Sequence, residues 1–272
     1  MQKFSAAPGV MFTSVWHNRA LIVALIKREV IGRYRGSFMG ILWSFFNPIV
    51  MLSIYTFVFS YVFNSRWAGA GGSKAEFALI LFAGLMVFNL FAECVTRAPN
   101  LIISNANYVK KVVFPLEILP CVIAGSSVFH AFVSLIVWLL AYCVFFGLPP
   151  VTALYLPLVV APLLLIILGL SWGLASIGVY MRDVAHFIGL VTSGLMFLAP
   201  IFYPATAVPE DYRGLLTLNP LTVVVENVRA VLFFGQAPDW QALGIYACVA
   251  IAVAYLGFAF FQKTRKGFAD VL

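Results

Sequence analysis

The feature that most constrains this chain is a set of six apolar segments of the length that crosses a lipid bilayer. A hydrocarbon core of about 30 Å needs roughly 20 helical residues at 1.5 Å per residue. The segments are residues 39–63, 77–96, 118–146, 153–180, 187–202 and 240–261. We therefore predict an all-α polytopic membrane protein, one transmembrane domain over residues 1–272 with a six-span core at 39–262.

The basic residues predict the orientation of these spans, because cytoplasmic loops carry an excess of Lys and Arg. Only Arg66, Lys74, Arg213 and Arg229 fall in the segments on one side of the membrane. The other 13 of the 17 basic residues share the opposite side: Lys3, Arg19, Lys27, Arg28, Arg33, Arg35, Arg97, Lys110, Lys111, Arg182, Lys263, Arg265 and Lys266. Both termini, including the tail at 263–272, are therefore expected in the cytoplasm.

The composition excludes several classes of protein. With 63% hydrophobic and 10% charged residues, the chain does not resemble a soluble domain. Its net charge of +7 is spread along the ends of the spans, which favours anionic lipid headgroups as partners and argues against nucleic acid. The four cysteines form no C-x-x-C pair and the three histidines are scattered, so no metal site is expected.

Within residues 1–38, the apolar run at 21–26 is far too short to span a membrane, and the segment is interpreted as a basic amphipathic helix at the membrane surface. On one helical wheel, Leu21, Leu25 and Arg19 interrupt the apolar side, and a disordered basic tail is the alternative. The residues that share the apolar side are Val15, Trp16, Ile22, Val23, Ile26, Val30 and Tyr34.

Two connecting segments are unusual. In residues 97–120, Pro99 and Pro115 bracket a short helix that would lie across the cytoplasmic surface, although an ordinary interfacial loop fits as well. Residues 203–236 are too apolar for a solvated loop and too short for another span, so we predict an external re-entrant helical hairpin. Within it, Glu226 and Arg229 are spaced to pair on one helical face, for either a stabilising or a functional role.

The sequence contains neither of the usual signals of an energy source for transport. No G-x-x-x-x-G-K-[ST] motif for nucleotide phosphates occurs, and the spans lack the series of Asp, Glu or His expected of a proton-coupled carrier. Glu93 and Arg97, four residues apart at the end of the second span, are spaced to neutralise each other.

Four stretches together resemble the membrane subunit of type-2 ABC exporters for lipid-linked polysaccharides such as O-antigen, capsule or teichoic acid. They are RYRGSFMGILWSFFNPIVMLSIYTFVFSYVF at 33–63, NANYVKKVVFPLEILP at 105–120, YMRDVAHF at 180–187 and APIFYPATAVPEDYRGLLTLNPLTVVVENVR at 199–229. The first and second are more similar to O-antigen exporters than to capsule exporters.

This resemblance implies a homodimer in the inner membrane, paired with two copies of a separate ATPase subunit that holds ATP and Mg, and no cofactor in this chain. The segment that would couple to the ATPase includes Asn100, Asn105, Asn107, Lys110 and Lys111. The hairpin that would gate the exit includes Pro204, Pro209, Asn219, Pro220, Glu226 and Arg229.

Substrate contacts follow from the chemistry of a lipid-linked glycan. Members of the resembled family have aromatic-rich pore walls, and sugar rings stack on aromatic faces. The resemblance therefore implies Tyr55, Phe59, Phe197 and Tyr203 as candidates for the substrate path, with ordinary helix packing as the alternative. A carrier phosphate suits arginine forks and basic side chains near the start of the first span. The candidates for that headgroup site are Lys27, Arg28, Arg33 and Arg35.

Two other classes of function stay open at this point. A self-contained secondary transporter or channel would need ionisable groups near the midplane or broken helices in matched halves. A membrane-embedded transferase acting on lipid-linked sugars would need a polar catalytic cluster at one membrane face.

The predicted orientation can be tested with reporter fusions. Fusions after Leu148 and within 207–213 should report from the external side, and fusions after Lys111, Asp183 and Leu272 from the cytoplasm, because of the asymmetry in basic residues. A cytoplasmic signal from a fusion within 207–213 would contradict the six-span topology.

Overall fold

The computed structural model describes residues 8–62, 67, 73–111 and 114–272, and this part of the chain contains helices and connections but no strand. We number the α-helices in chain order. They are α1 Pro8–His17, α2 Arg19–Arg33, α3 Trp43–Tyr55, α4 Lys74–Arg97, α5 Leu101–Ser104, α6 Ala106–Lys111, α7 Leu119–Phe146, α8 Leu156–Tyr180, α9 Val184–Leu198, α10 Glu210–Leu218, α11 Thr222–Leu232, α12 Trp240–Thr264 and α13 Phe268–Val271.

Among the residues that the structure describes, five helical segments are long and apolar enough to cross a membrane, which confirms the all-α polytopic class. They are Gly40–Phe59, Ala75–Ser104, Leu116–Phe146, Val151–Tyr180 and Trp240–Val271. The first contains α3, which is preceded by a 3₁₀ turn at Gly40–Leu42 and continues as a π-helix at Thr56–Val62. The predicted first span ends at Phe63, outside the described residues.

The predicted fifth span, 187–202, differs from the others. Its helix, α9, has only 15 residues, or about 22 Å of rise, so the helix alone is shorter than a hydrocarbon core. It begins earlier than predicted, at Val184, and ends at Leu198 because Pro200 cannot continue the hydrogen-bond ladder. Residues 199–203 therefore extend the segment as non-helical backbone.

Helix α4 forms the centre of the bundle. Residues 78–83 are at most 4% exposed, because α7, α8, α9 and α11 all pack against this helix. Its start is fixed by a capping box, in which the Ser73 hydroxyl accepts from the amide of Glu76 and the Glu76 carboxylate accepts from the amide of Ser73. Trp138 of α7 donates its indole N–H to the carbonyl oxygen of Leu79 at 2.8 Å and so fastens α7 to α4.

The contact between α8 and α12 is the most extensive between any two helices described, and glycine makes their close approach possible. Gly169 of α8 and Gly257 of α12 face each other's helix backbone. A Cβ atom at Gly169 would overlap the backbone at Val253, and one at Gly257 would overlap the backbone of Gly169. Small residues at such a crossing allow backbone contact, which is how membrane helices associate without a hydrophobic driving force.

The bundle has two distinct ends. At the first, which we call the basic end, α2, the α4–α7 connection and the final helix α13 come together. There the Tyr180 hydroxyl donates to the carbonyl oxygen of Thr264 at 2.9 Å, joining α8 to α12. At the opposite end lie the α7–α8 connection and the α10–α11 hairpin, joined by a 2.7 Å hydrogen bond from Thr152 to the carbonyl oxygen of Val231.

The N-terminal region is helical, but its apolar face differs from the predicted one. Leu25, which we placed off the face, is buried against α7, whereas Trp16 and Val23, which we placed on it, are 71% and 65% exposed. The reason is a bend of 65° between α1 and α2, so that a single helical wheel does not apply across residues 15–34. The buried residues of α2 are Ile22, Leu25 and Val30.

The glycine crossing yields a stability prediction. Replacing Gly169 with Val should lower the free energy of unfolding by about 3 kcal/mol, because the new side chain would push α12 away from α8. The matched control is Gly173→Val, one turn along the same helix, where a Cβ atom meets nothing within 4 Å. Thermal unfolding of the purified proteins in detergent measures both, and equal losses would contradict the proposed crossing.

Candidate functional site

An aromatic cluster connects α3 and its π-helical continuation to the end of α9. The rings of Tyr55 and Phe59 lie 6.4 Å apart, and Phe59 stacks on Phe202 at 5.8 Å. Phe202 in turn stacks on Phe197 at 5.8 Å, and the Tyr203 hydroxyl donates to the carbonyl oxygen of Phe197 at 3.0 Å. The four residues predicted for the substrate path are therefore adjacent, although they come from segments almost 140 residues apart in sequence.

The exposures of these rings differ. Phe197 is 64% exposed in the protomer, whereas Tyr55, Phe59 and Tyr203 are half-buried. Tyr55 contacts the ring of Phe59, and Phe59 also stacks on Phe77 and Phe202. Phe202, which we did not single out from the sequence, is the ring that bridges Phe59 to Phe197. The cluster can therefore offer an aromatic face to a ligand mainly through Phe197.

The same cluster continues to a buried arginine. Phe59 also stacks on Phe77 of α4, and Phe77 contacts Trp67 at 5.8 Å between ring centres. The guanidinium of Arg229 lies over the Trp67 ring, 4.4 Å from its centre, a cation–π geometry. Arg229, on α11, is only 1% exposed.

Arg229 binds backbone carbonyls from two other segments. It donates to the carbonyl oxygen of Ile80 on α4 at 3.1 Å and to those of Pro200 and Ile201 after α9, the latter at 2.6 Å. These last two lie where the chain is not helical, and backbone acceptors at membrane depth need a donor. Glu226 pairs with Arg229 at 3.3 Å, as their spacing predicted.

The predicted hairpin is present as α10 and α11, and its prolines mark its boundaries. Pro204 precedes a 3₁₀ turn, Pro209 precedes α10, and Pro220 follows α10. Asn219 fastens this turn to α9, because its side-chain amide donates to the carbonyl oxygen of Leu195 at 3.2 Å. The carbonyl oxygen of Pro220 accepts a 2.7 Å hydrogen bond from the Tyr246 hydroxyl of α12. All six residues predicted for the gate thus lie in or beside this hairpin.

At the basic end, an ion-pair network joins α2 to α4. Glu93 of α4 binds Arg33 of α2 and also Arg97, one turn further along α4, at 3.4 Å. Arg97 binds Glu29 of α2 as well. Two carboxylates and two guanidinium groups therefore alternate, with no excess charge. The sequence indicated the Glu93–Arg97 pair but not its two partners on α2.

The four basic residues predicted to bind a lipid headgroup are in different environments. Arg33 belongs to the ion-pair network, and Arg28 donates to the Tyr108 hydroxyl of α6 at 2.9 Å. Lys27 and Arg35 are exposed. The structure thus gives Arg28 and Arg33 partners within the protein and leaves Lys27 and Arg35 accessible.

The segment predicted to couple to an ATPase consists of two short helices, α5 and α6, on the surface of the basic end. Asn105 lies between them and donates to the carbonyl oxygen of Leu101 at 2.9 Å. Asn107 and Asn100 are exposed, and Lys110 donates to the carbonyl oxygen of Leu272. Lys111 is the last residue of α6, and only its backbone belongs to the described part of the chain.

A further cluster at the basic end was not apparent from the sequence. Glu117 accepts from Arg265 at 2.5 Å and from the Ser14 hydroxyl at 2.9 Å, so it connects α1 to the end of α12. The carbonyl oxygen of Glu117 accepts from the Trp172 indole of α8 at 2.9 Å. The only sequence signal was a lone acid next to apolar residues, and its partner is 148 residues away.

Comparison with known proteins gives similarity along almost the entire chain. The O-antigen export system permease protein RfbA of Myxococcus xanthus is 28% identical over 258 residues, 94% of this chain and 96% of that protein. A Klebsiella pneumoniae protein of the same name is 26% identical over 254 residues, 93% of this chain and 95% of the relative. The polysialic acid transport protein KpsM of Escherichia coli is 25% identical over 257 residues, 91% and 94% of the two chains.

The same comparison defines the family. The family described as ABC-2 type transporter matches residues 20–233, which include α3 to α11 and all but the first residue of α2, and thus both the aromatic cluster and the ion-pair network. This range is well over half of the 272 residues. With five long apolar helices and this match, the chain belongs to the ABC-2 type transporter membrane family.

Proposed function

We propose that this protein is the transmembrane permease subunit of an ATP-driven exporter that moves a lipid-linked polysaccharide, most specifically O-antigen, from the cytoplasm across the inner membrane. The observation that carries the proposal is the similarity to O-antigen export permeases over 93–94% of this chain. The similarity to the polysialic acid transport protein KpsM covers 91% of the chain, which supports a polysaccharide as the class of substrate.

The aromatic cluster supports the same class of substrate. Sugar rings expose C–H faces that stack on aromatic side chains, while their hydroxyls exchange hydrogen bonds with water and phenols. Many such weak contacts allow a chain to move, because no single site holds it firmly. Phe197 provides the exposed ring of the cluster, and Tyr55 and Tyr203 provide its phenols.

We further propose that two copies of the chain form the exporter. Many apolar side chains on α3 and α9 are exposed in the protomer, including Phe46, Ile49, Leu190 and Val191. In a homodimer, these two helices could face a second copy, lipid or the substrate path. A closed two-fold arrangement is also the most common symmetry of protein oligomers.

The proposed source of energy is a separate ATPase subunit, present in two copies, which would bind ATP and Mg. Helices α5 and α6 are the proposed contact, because they lie at the surface of the basic end. Arg28 links α6 to α2, so a displacement of α6 would be passed to the helix that is ion-paired to α4. The arrangement suits a coupling role for Asn100, Asn105, Asn107, Lys110 and Lys111.

A reconstituted complex tests the proposal. We expect the protein to co-purify with the ATPase subunit encoded nearest to it, and we expect the lipid-linked glycan to increase ATP hydrolysis by the complex several-fold. The control is an ATPase subunit in which the P-loop lysine is replaced by alanine, which should still assemble but not respond. Glycan transport by this chain alone, with no ATPase bound, would favour a self-contained transporter instead.

The aromatic path yields a second prediction. Phe197→Ala should slow glycan export about fivefold, as expected if ~1 kcal/mol of ring stacking is lost. Glycan-stimulated ATP hydrolysis should remain, because the ATPase contact is at the other end of the protein. Export is measured as glycan delivered per cell, normalised to the amount of inserted protein.

The matched control is Phe187→Ala, at the other end of α9. Phe187 and Phe197 are 63% and 64% exposed, so both substitutions remove a similar area of exposed ring. Equal export by the two variants would mean that Phe197 serves helix packing or lipid contact only.

A further inference from the structure

A polar cavity lies between α3, α4 and α7, inside the protomer. Its volume is about 280 Å³, and most of the side chains that line it are polar. Arg33 and Glu93 line it at the basic end, and Tyr55 lines it deeper in the bundle. The cavity therefore extends from the ion-pair network toward the aromatic cluster.

The lining residues are unusual for apolar helices. Asn47 of α3 and Asn89 of α4 are exposed, and both line the cavity, as do Ser127, His130 and Ser134 of α7. An exposed carboxamide in a membrane span is costly against lipid, so such residues mark water-filled cavities and ligand pathways. The wall also holds unsatisfied hydrogen-bonding capacity, since His130 Nε2 has no partner among the described residues.

The chemistry of the wall favours a neutral ligand with many hydroxyl groups. Amides, hydroxyls and a neutral imidazole can each both donate and accept hydrogen bonds, as the hydroxyls of a sugar can. The two charged groups, Arg33 and Glu93, bind each other, so the cavity offers little net charge to an ion. A concave site with convergent polar groups and the aromatic rings of Tyr34, Tyr55 and Phe82 is a suitable binding site for a pyranose.

A neighbouring cavity provides the contrast. It has a volume of about 310 Å³, lies between α4, α7, α8 and α11, and is lined by aliphatic and aromatic side chains. The two cavities share Met86, Leu90 and Ala131 in their walls. Polar groups are thus concentrated on one side of the α4–α7 pair, the side covered by α3.

Tyr55 belongs to both features, because it lines the polar cavity and contacts Phe59 in the aromatic cluster. We propose that the α3–α4–α7 cavity binds pyranose residues of the exported glycan and delivers them, past Tyr55, to the aromatic cluster. This inference rests on the proposed function, since it assumes a glycan substrate, and it assigns that substrate a binding site inside each protomer.

Cysteine labelling tests the cavity directly. Ser134→Cys introduces a thiol into the polar wall, and Val128→Cys places one on the same helix in the apolar cavity as the matched control. The exposed Cys143 and Cys248 are replaced by alanine, and the signal of that parent protein is subtracted. A charged maleimide is applied to unsealed membranes, so that both faces are accessible.

The probe is the cell's own lipid-linked glycan. Membranes are taken from cells that synthesise it and from cells that lack its first glycosyltransferase. We expect rapid labelling of Ser134→Cys without glycan, about tenfold slower labelling with it, and slow labelling of Val128→Cys in both. If Ser134→Cys inserts poorly, Asn89→Cys on the facing helix gives the same measurement.

Two outcomes would overturn the inference. Slow labelling of Ser134→Cys and Asn89→Cys in both membranes would mean that the cavity is closed to water. Rapid labelling that the glycan does not slow would mean that the cavity is wet but does not bind the substrate. Glycan-stimulated ATP hydrolysis, measured in the same membranes, separates these results from a failure of the proposed function itself.

Discussion

The rest of this structure depends on how the backbone carbonyl groups at one break in a membrane helix find hydrogen-bond donors. Pro200 ends the helical part of the fifth apolar segment before it has the length of a span, which leaves backbone carbonyls without helical partners. Arg229 provides donors to two of them and to a carbonyl of the central helix α4. One side chain thus fixes the end of α9, the hairpin and α4 relative to each other, and it also holds Trp67 beside the aromatic cluster.

At the basic end, the helices are held together by ion pairs that are partly exposed to solvent. A single exposed ion pair contributes only about 0.2–1 kcal/mol. Here, however, Arg33, Glu93, Arg97 and Glu29 form one network, and Arg28 extends the connections of α2 to α6. Glu117 similarly connects α1 to the end of α12. The surface helices are therefore attached to the spans by polar contacts, which can rearrange at lower cost than the buried core.

Much of this architecture could be predicted from the sequence, because apolar length and proline positions are local signals. They located five of the six predicted spans and the hairpin at α10 and α11. The aromatic candidates came from the chemistry of glycan binding, and they missed Phe202, the ring that bridges Phe59 to Phe197. The apolar face of α2 was predicted wrongly because the bend after α1 changes the register, and the one residue between the two helices, Asn18, was not read as a helix boundary. The roles of Arg229 and Glu117 were not predictable, since their partners are backbone or side-chain groups far away in the chain. The polar cavity was missed for a related reason: Asn47, Asn89 and His130 lie on three helices and become one wall only in three dimensions.

The glycine crossing between α8 and α12 has a consequence for how the molecule can move. Two helices in backbone contact cannot slide or rotate without a steric clash, so α8 and α12 move as one rigid unit. The backbone of Pro99, just after α4, packs against Gly178 of α8 and joins the end of α4 to this unit. Helices α3 and α9 have few buried residues and are the least constrained by the protomer. Tyr55 and Phe197 are carried by these two helices. If the aromatic cluster widens, α3 and α9 must therefore move outward while the α8–α12 pair stays in place.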